Sequence, residues 1–169
     1  MKTHVISLWR CPVCVLVVIL IASLGALASA LIAQFAFDLQ PCVLCLYQRV
    51  PFVAAAVFAT AGLAIRPLRM PVIILSALTF AANTVIAAYH VGVEQRWWSS
   101  FFEGCKIPST TAGSSESLLD AVMSAPSVPC TDIAWQDPIF GASMAVYNVL
   151  LCAGMVGFCG TYFLLRKLS

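Results

Sequence analysis

Residues 11–37 read CPVCVLVVILIASLGALASALIAQFAF, twenty-seven positions without a charged side chain between Arg10 and Asp38. A membrane-crossing helix needs about 20 apolar residues, so this run is long enough to span a bilayer. Working outward, 46–65, 70–89 and 139–165 are three further runs of the same kind, and Arg49 is the only charge inside any of the four. The bulk composition agrees. Of 169 residues, 62% are hydrophobic and 9% charged, where soluble domains carry about 25% charged residues. The pattern predicts an all-α membrane protein, a single four-helix domain over residues 1–169 with spans at about 13–37, 46–65, 70–89 and 139–165 and loops at 38–45 and 90–138. Lys2, Arg10 and Ala28-Ser29-Ala30 resemble parts of a signal peptide. The apolar run, however, continues far past the roughly 7–15 residues of a signal core, and a retained helix is expected.

Basic residues set the expected orientation. Lys2, Arg10, Arg66, Arg69, Arg166 and Lys167 fall on one side of a four-span chain with no acidic residue among them, which places both termini in the cytoplasm. The opposite, non-cytoplasmic side receives 38–45 and 90–138, and in the longer of these Glu94, Glu103, Glu116, Asp120, Asp132 and Asp137 face only Arg96 and Lys106. A net charge of +2 with scattered basic residues gives no footprint for nucleic acid. Within the long loop, 115–123 has an N-cap candidate in Ser115 and groups Leu118, Leu119, Val122 and Met123 at helical spacing, as a short helix on the membrane surface would. Trp97, Trp98, Phe101 and Phe102 read as interfacial aromatics. Ala22, Ala26 and Ala30 on the first span, and Gly154, Gly157 and Gly160 on the last, are expected to let helices approach closely.

Eight cysteines need a separate explanation. Cys11 and Cys14 precede the first span and Cys42 and Cys45 follow it, so a helix of about 40 Å separates the two C-x-x-C pairs and one zinc ion cannot use both. Attachment of a c-type haem would need histidine after the second cysteine, where Val15 and Leu46 stand instead. Redox chemistry or a structural clip remains for Cys42-Val43-Leu44-Cys45. Closing so short a ring stabilises by roughly 2 kcal/mol, against about 3.5 kcal/mol for a ring from Cys105 to Cys130. The short pair is therefore a poor staple and suits a reducible dithiol. For Cys105 and Cys130, a structural bond and an exchange partner are both open readings, as is a crossed bond between the two loops.

At 100° per residue, Cys42, Cys45 and Arg49 fall within about 60° of arc on one helix face. Pro51 qualifies this, because it either sits in the first helical turn or kinks the helix. An arginine entering hydrocarbon costs about 2.5–3.5 kcal/mol at mid-span, which makes Arg49 a candidate functional group, with a snorkelling anchor as the plainer alternative. A cation one turn from Cys45 favours a thiolate there or holds a polar ligand atom. With no haem, flavin, nucleotide or iron–sulfur motif in the chain, a membrane quinone is the simplest sink for two electrons.

The stretch Pro41-Cys42-Val43-Leu44-Cys45-Leu46-Tyr47-Gln48-Arg49, the loop cysteines Cys105 and Cys130, Tyr89-His90 closing the third span and Trp135 before the fourth together resemble the bacterial disulfide bond formation protein B family (DsbB). The resemblance implies a relay. A periplasmic DsbA-like protein of thioredoxin fold would attack Cys105 of a Cys105–Cys130 disulfide, Cys130 would attack Cys42, and Cys45 would reduce ubiquinone or menaquinone. It further implies that Arg49, Cys45 and His90 border the quinone, and that the protein lies in the bacterial inner membrane with these cysteines on the periplasmic face. Gln48 stands where some members carry an acid. Cys11 and Cys14 fall outside the family motif and read as reduced thiols, and Cys152 and Cys159 as packing thiols. Two rival readings are a quinone reductase of the vitamin K epoxide reductase type, whose C-x-x-C lies at the end of a later span, and a non-catalytic tetraspan protein with a stapled loop.

Overall fold

Each long helix begins where the sequence supplies a cap, save the third, which follows a 3-10 turn. In the computed structural model, which describes residues 11–101 and 128–168, α1 (Pro12–Ala36) starts with Pro12 in its first turn and the Cys11 thiol accepting the Cys14 N–H at 3.4 Å. Cys42 does the same for α2 (Val43–Ala64), and the Ser143 hydroxyl for α4 (Met144–Lys167). A 3-10 turn, Arg66–Leu68, carries the chain from α2 into α3 (Arg69–Glu94), and so short a link makes these helices an antiparallel hairpin. All four helices are long and apolar enough to cross a membrane, and no strand occurs among the described residues. The predicted surface helix at 115–123 and Phe102 lie outside the described residues.

Three boundaries differ from expectation. α2 starts at Val43 because Cys42 caps it, which leaves Cys42 just off the helix and puts Pro51 beyond the first turn, inside the helix. α3 runs on to Glu94, five residues past the expected end, since nothing between Tyr89 and Glu94 breaks it and both His90 and Glu94 find partners inside. α4 starts at Met144, because Asp137-Pro138 and Gly141 form a turn in which Gly141 takes φ +63° and donates to the Asp137 carbonyl at 2.8 Å. The apolar Ile139 and Phe140 had masked that turn; both are exposed at its tip.

α3 packs along α2 and α4, and α1 along α2, whereas α1 and α4 barely touch. Val15, Leu16 and Ile19 of α1, Phe52, Ala55 and Ala59 of α2, Ile73 and Phe80 of α3 and Cys152, Met155, Cys159 and Tyr162 of α4 form the core, with Phe52 edge-on to Phe80 at 6.1 Å. Leu24, Ile32, Val57, Val85 and Leu150 remain exposed, as lipid-facing side chains do. The expected glycine contacts fall elsewhere. Gly154, Gly157 and Gly160 sit on the exposed face of α4, where an added Cβ would meet nothing, while Gly62 is pressed against Val72 and Leu16. Ala22 and Ala26 do pack on the core, but Ala26 and Ala30 also line a cavity, so the stripe is only in part a packing seam.

The aromatic residues close the end of α3. Arg96 adopts φ +59°, and the Arg96 and Trp97 N–H groups return to the Val93 and Gly92 carbonyls at 3.0 and 2.9 Å, a Schellman motif with arginine where glycine is usual. Trp98 then folds over Gly92, stacks on Tyr89 at 6.0 Å and donates to the Tyr89 carbonyl; Phe101 also stacks on Tyr89, at 6.2 Å. This cap positions the last turns of α3, which carry His90 and Glu94.

Candidate redox site

The site grows from the first turn of α2. Because Cys42 is the N-cap, its sulfur turns back to accept the Cys45 N–H at 3.3 Å, and the spacing of three brings the two sulfurs to 3.0 Å, with the Cys42 thiol donating. Both are free thiols. Cys42 is buried and Cys45 half-exposed. The hydrogen bond to Cys45, together with burial, holds the Cys42 thiol well above the ordinary thiol range, so its proton stays on in the reduced pair.

Two distant segments close over Cys42. His90, on the inner face of α3, brings Nε2 to 3.4 Å from the Cys42 sulfur. Cys130 lies late in the second loop, and its sulfur, the Cys42 sulfur and a His90 nitrogen all lie within 4.8 Å of one another. Cys130 is disulfide-bonded, and Cys105 lies outside the described residues. Leu44 and Val93 bury this meeting point, with Tyr89 packed against it. Two cysteines and a histidine at this distance resemble part of a metal site, but a sulfur held in a disulfide is no thiolate ligand, and the three do not make one.

A ring of polar side chains surrounds His90. Gln48 contacts Nδ1 at 2.9 Å, Asn148 of α4 donates to Gln48 Oε1 at 2.5 Å, and Asn83 of α3 donates to the Gln48 carbonyl at 3.3 Å. Glu94 Oε1 lies 3.6 Å from His90 Nε2, and its other oxygen accepts the Ser143 hydroxyl at 2.5 Å. Arg49 is tied to α1: its Nη1 donates to Gln34 Oε1 at 2.7 Å. Sequence reasoning missed Gln34, Asn83, Asn148 and Ser143, and it left Glu94 as one loop acid among six. The signal was present, since polar side chains inside apolar spans usually face a site, and Glu94 stands one turn beyond His90.

A cavity of about 370 Å³ opens where α1 and α4 part. Cys45, Arg49, His90 and Glu94 line one side, Ala26, Ala30 and Ala33 of α1 a second, and Trp135, Tyr147 and Asn148 a third. Trp135 leans on Tyr147 at 6.3 Å, and the Tyr147 hydroxyl donates to Asp137 at 2.7 Å. That bond, and the Ile139 N–H, hold the Asp137 carboxyl below the usual carboxylate range. At the far end of the bundle Cys11 and Cys14 are free thiols, with Cys11 held below the ordinary thiol value chiefly by its hydrogen bond with Cys14. Cys152 and Cys159 are buried as expected, although Cys152 also joins the polar ring through Asn83 and Asn148.

The family described as disulfide bond formation protein DsbB matches residues 10–162. An uncharacterized protein of Rickettsia prowazekii (strain Madrid E), RP370, is 31% identical over 152 residues, covering 85% of this chain and 83% of its own. Disulfide bond formation protein B of Xanthomonas axonopodis pv. citri (strain 306) is 31% identical over 143 residues, 80% of each chain. No solved structure matches at a comparable level. With four apolar helices and a paired-cysteine site, the chain is a multi-pass membrane protein of disulfide bond formation and belongs to the DsbB family of disulfide oxidoreductases.

Proposed function

We propose that the protein is a quinone-coupled thiol oxidase of the bacterial inner membrane, which reoxidises a DsbA-like periplasmic protein of thioredoxin fold. The observation that carries this reading is the burial of Cys42 beside the disulfide-bonded Cys130, on the wall of an apolar cavity. A structural staple has no use for a second sulfur couple in contact with it. The relay runs by thiolate exchange. The donor's thiolate attacks Cys105 and releases Cys130; Cys130 attacks Cys42 of an oxidised Cys42–Cys45 pair and releases Cys45 as a thiolate facing the cavity; the donor's second thiolate then closes the donor's own disulfide and releases Cys105. Both termini face the cytoplasm and the four active cysteines the periplasm, a reading that the distribution of basic residues supports.

The residues present fit a quinone. A volume of about 370 Å³ falls within the usual range for small-molecule sites, about 300–1,000 Å³. Most of the exposed wall surface is apolar, the polar groups Arg49, His90, Glu94 and Asn148 are set into it, and the gap between α1 and α4 gives a lipid-soluble ring a lateral entrance. Arg49, steadied by Gln34, would hold a ring oxygen, and Cys45 and His90 border the ring on the same wall. Bound there, ubiquinone or menaquinone supplies a sink for two electrons and two protons. The test is stoichiometry: purified protein, a reduced thioredoxin-fold donor and quinone should yield one quinol per donor disulfide, and Cys45→Ser should abolish quinol formation. Donor oxidation without quinol, or parental turnover in Cys45→Ser, would refute the proposal.

A further inference from the structure

The polar ring around His90 has a direction, and that direction starts from a group that cannot be reversed. Asn83 Nδ2 lies 3.3 Å from the Gln48 main-chain carbonyl and 3.3 Å from the Cys152 sulfur. A carbonyl only accepts, so this side of the Asn83 amide is its NH₂ group and the Cys152 sulfur is an acceptor toward it. The Cys152 S–H is then left to donate to Asn148 Oδ1 at 3.2 Å. That turns Asn148 Nδ2 toward Gln48 Oε1 at 2.5 Å, and hence Gln48 Nε2 toward His90 Nδ1 at 2.9 Å. A nitrogen that receives a donor carries a lone pair, so a neutral imidazole holds its proton on Nε2.

The other side of the ring fits the same tautomer, since the Cys42 thiol spends its proton on Cys45. Nε2 faces the Cys42 sulfur at 3.4 Å and the Glu94 carboxyl at 3.6 Å, and a bare lone pair there would be set against two acceptors. Asn83, Cys152, Gln48 and His90 are all buried, so water does not offer substitute partners. Beyond His90 the order continues, since the Cys42 thiol donates to Cys45 at 3.0 Å. The hydrogen bonds therefore all point one way, from α3 and α4 into the redox pair.

We propose that Gln48 and Asn148 are positioning residues that lock His90 as the Nε2–H tautomer, so that its imidazole donates a hydrogen bond to the Cys42 sulfur and does not act as its base. The consequence rests on the relay of the preceding section. When a Cys42–Cys130 disulfide is resolved by Cys105, the Cys105–Cys130 bond forms, the Cys42–Cys130 bond breaks, and the electron pair leaves on Cys42. A donor aimed at that sulfur stabilises the departing thiolate, and a better leaving group exchanges faster.

The experiment is ¹⁵N NMR of the full-length, reduced protein in nanodiscs, without quinone, labelled at histidine and carrying His4→Gln so that His90 is the one remaining histidine. The parent should show its one-bond N–H doublet at Nε2 and an unprotonated Nδ1. Gln48→Glu, whose carboxylate accepts from Nδ1, should bring a proton to Nδ1, and Asn148→Leu, which frees the Gln48 amide to turn, should give a mixture of both tautomers. Cys42→Ala should leave Nδ1 bare while shifting the Nε2 proton upfield. A parental proton on Nδ1 overturns the proposal, and so do folded Gln48→Glu and Asn148→Leu variants that keep the parental spectrum, or a Nε2 proton indifferent to Cys42→Ala. Should the variants not fold, the parental spectrum decides alone. The readout is independent of turnover: an Nε2–H imidazole in a protein that makes no quinol refutes the relay and not the tautomer.

Discussion

At Cys42 burial and capping act together: the sulfur that ends the helix is also the one shut away from solvent, while Cys45 one turn on reaches the cavity. The two thiols of the reduced pair should therefore differ in reactivity. At pH 8 iodoacetamide should modify Cys45 first and Cys42 at least about tenfold more slowly, because alkylation needs access and a thiolate; equal rates by mass spectrometry would contradict the burial. Arg49 is fixed to α1 through Gln34, which ties a cation to the cavity wall. Arg49→Ala should raise KM for quinone about tenfold or more, the range expected for losing a hydrogen bond to a charged group, about 1.5–3 kcal/mol, with Gln34→Leu giving a smaller rise in the same direction. Quinone kinetics unchanged by Arg49→Ala would make the arginine an anchor and nothing more. The C-x-x-C spacing and the lone intramembrane arginine made these residues legible from sequence; the partner Gln34, fifteen residues away on another helix, was not.

Helix ends govern the site at the next scale up. The extension of α3 to Glu94 depends on Gly92, where an added Cβ would lie 2.0 Å from the Trp98 ring. Gly92→Ala should lift Trp98 off Tyr89 and cost about 1–3 kcal/mol, as overpacking does, seen as a lower Tm and altered tryptophan fluorescence; an unchanged Tm would show the aromatic cap to be loose. Ahead of α4, the Tyr147–Asp137 bond holds the turn that aims Trp135 at the cavity. Since the folded carboxyl lies below the ordinary aspartate value of about 3.9, its contribution is present above that value and is lost as pH falls through the lower folded one. Acid titration followed by NMR should show Asp137 titrating low, and Tyr147→Phe should return it toward the ordinary value. A Tyr147→Phe curve that overlays the parent would break the assignment. The Asp-Pro and Gly signals of this turn stand in the sequence, but the apolar Ile139-Phe140 between them reads as the start of a span.

For the molecule as a whole, the gap between α1 and α4 is the decisive feature, because it leaves a largely apolar cavity beside the sulfur couple. Ala30→Phe, filling that cavity from α1, should abolish quinone-dependent turnover while exchange between Cys105 and a reduced donor continues; parental turnover would place the quinone elsewhere. Four spans, the C-x-x-C at the edge of the second and the intramembrane arginine were determined by the sequence alone, because hydrophobic runs and short spacings are properties of neighbouring residues. Tertiary structure alone decided that His90 meets Cys42, that Gln48 bonds Asn148 a hundred positions away, and that the alanine stripe of α1 lines a cavity as well as packing on the core. Contacts of that kind depend on how apolar helices share out their faces and on where a long loop returns, and a linear pattern of apolar residues does not encode which faces those are.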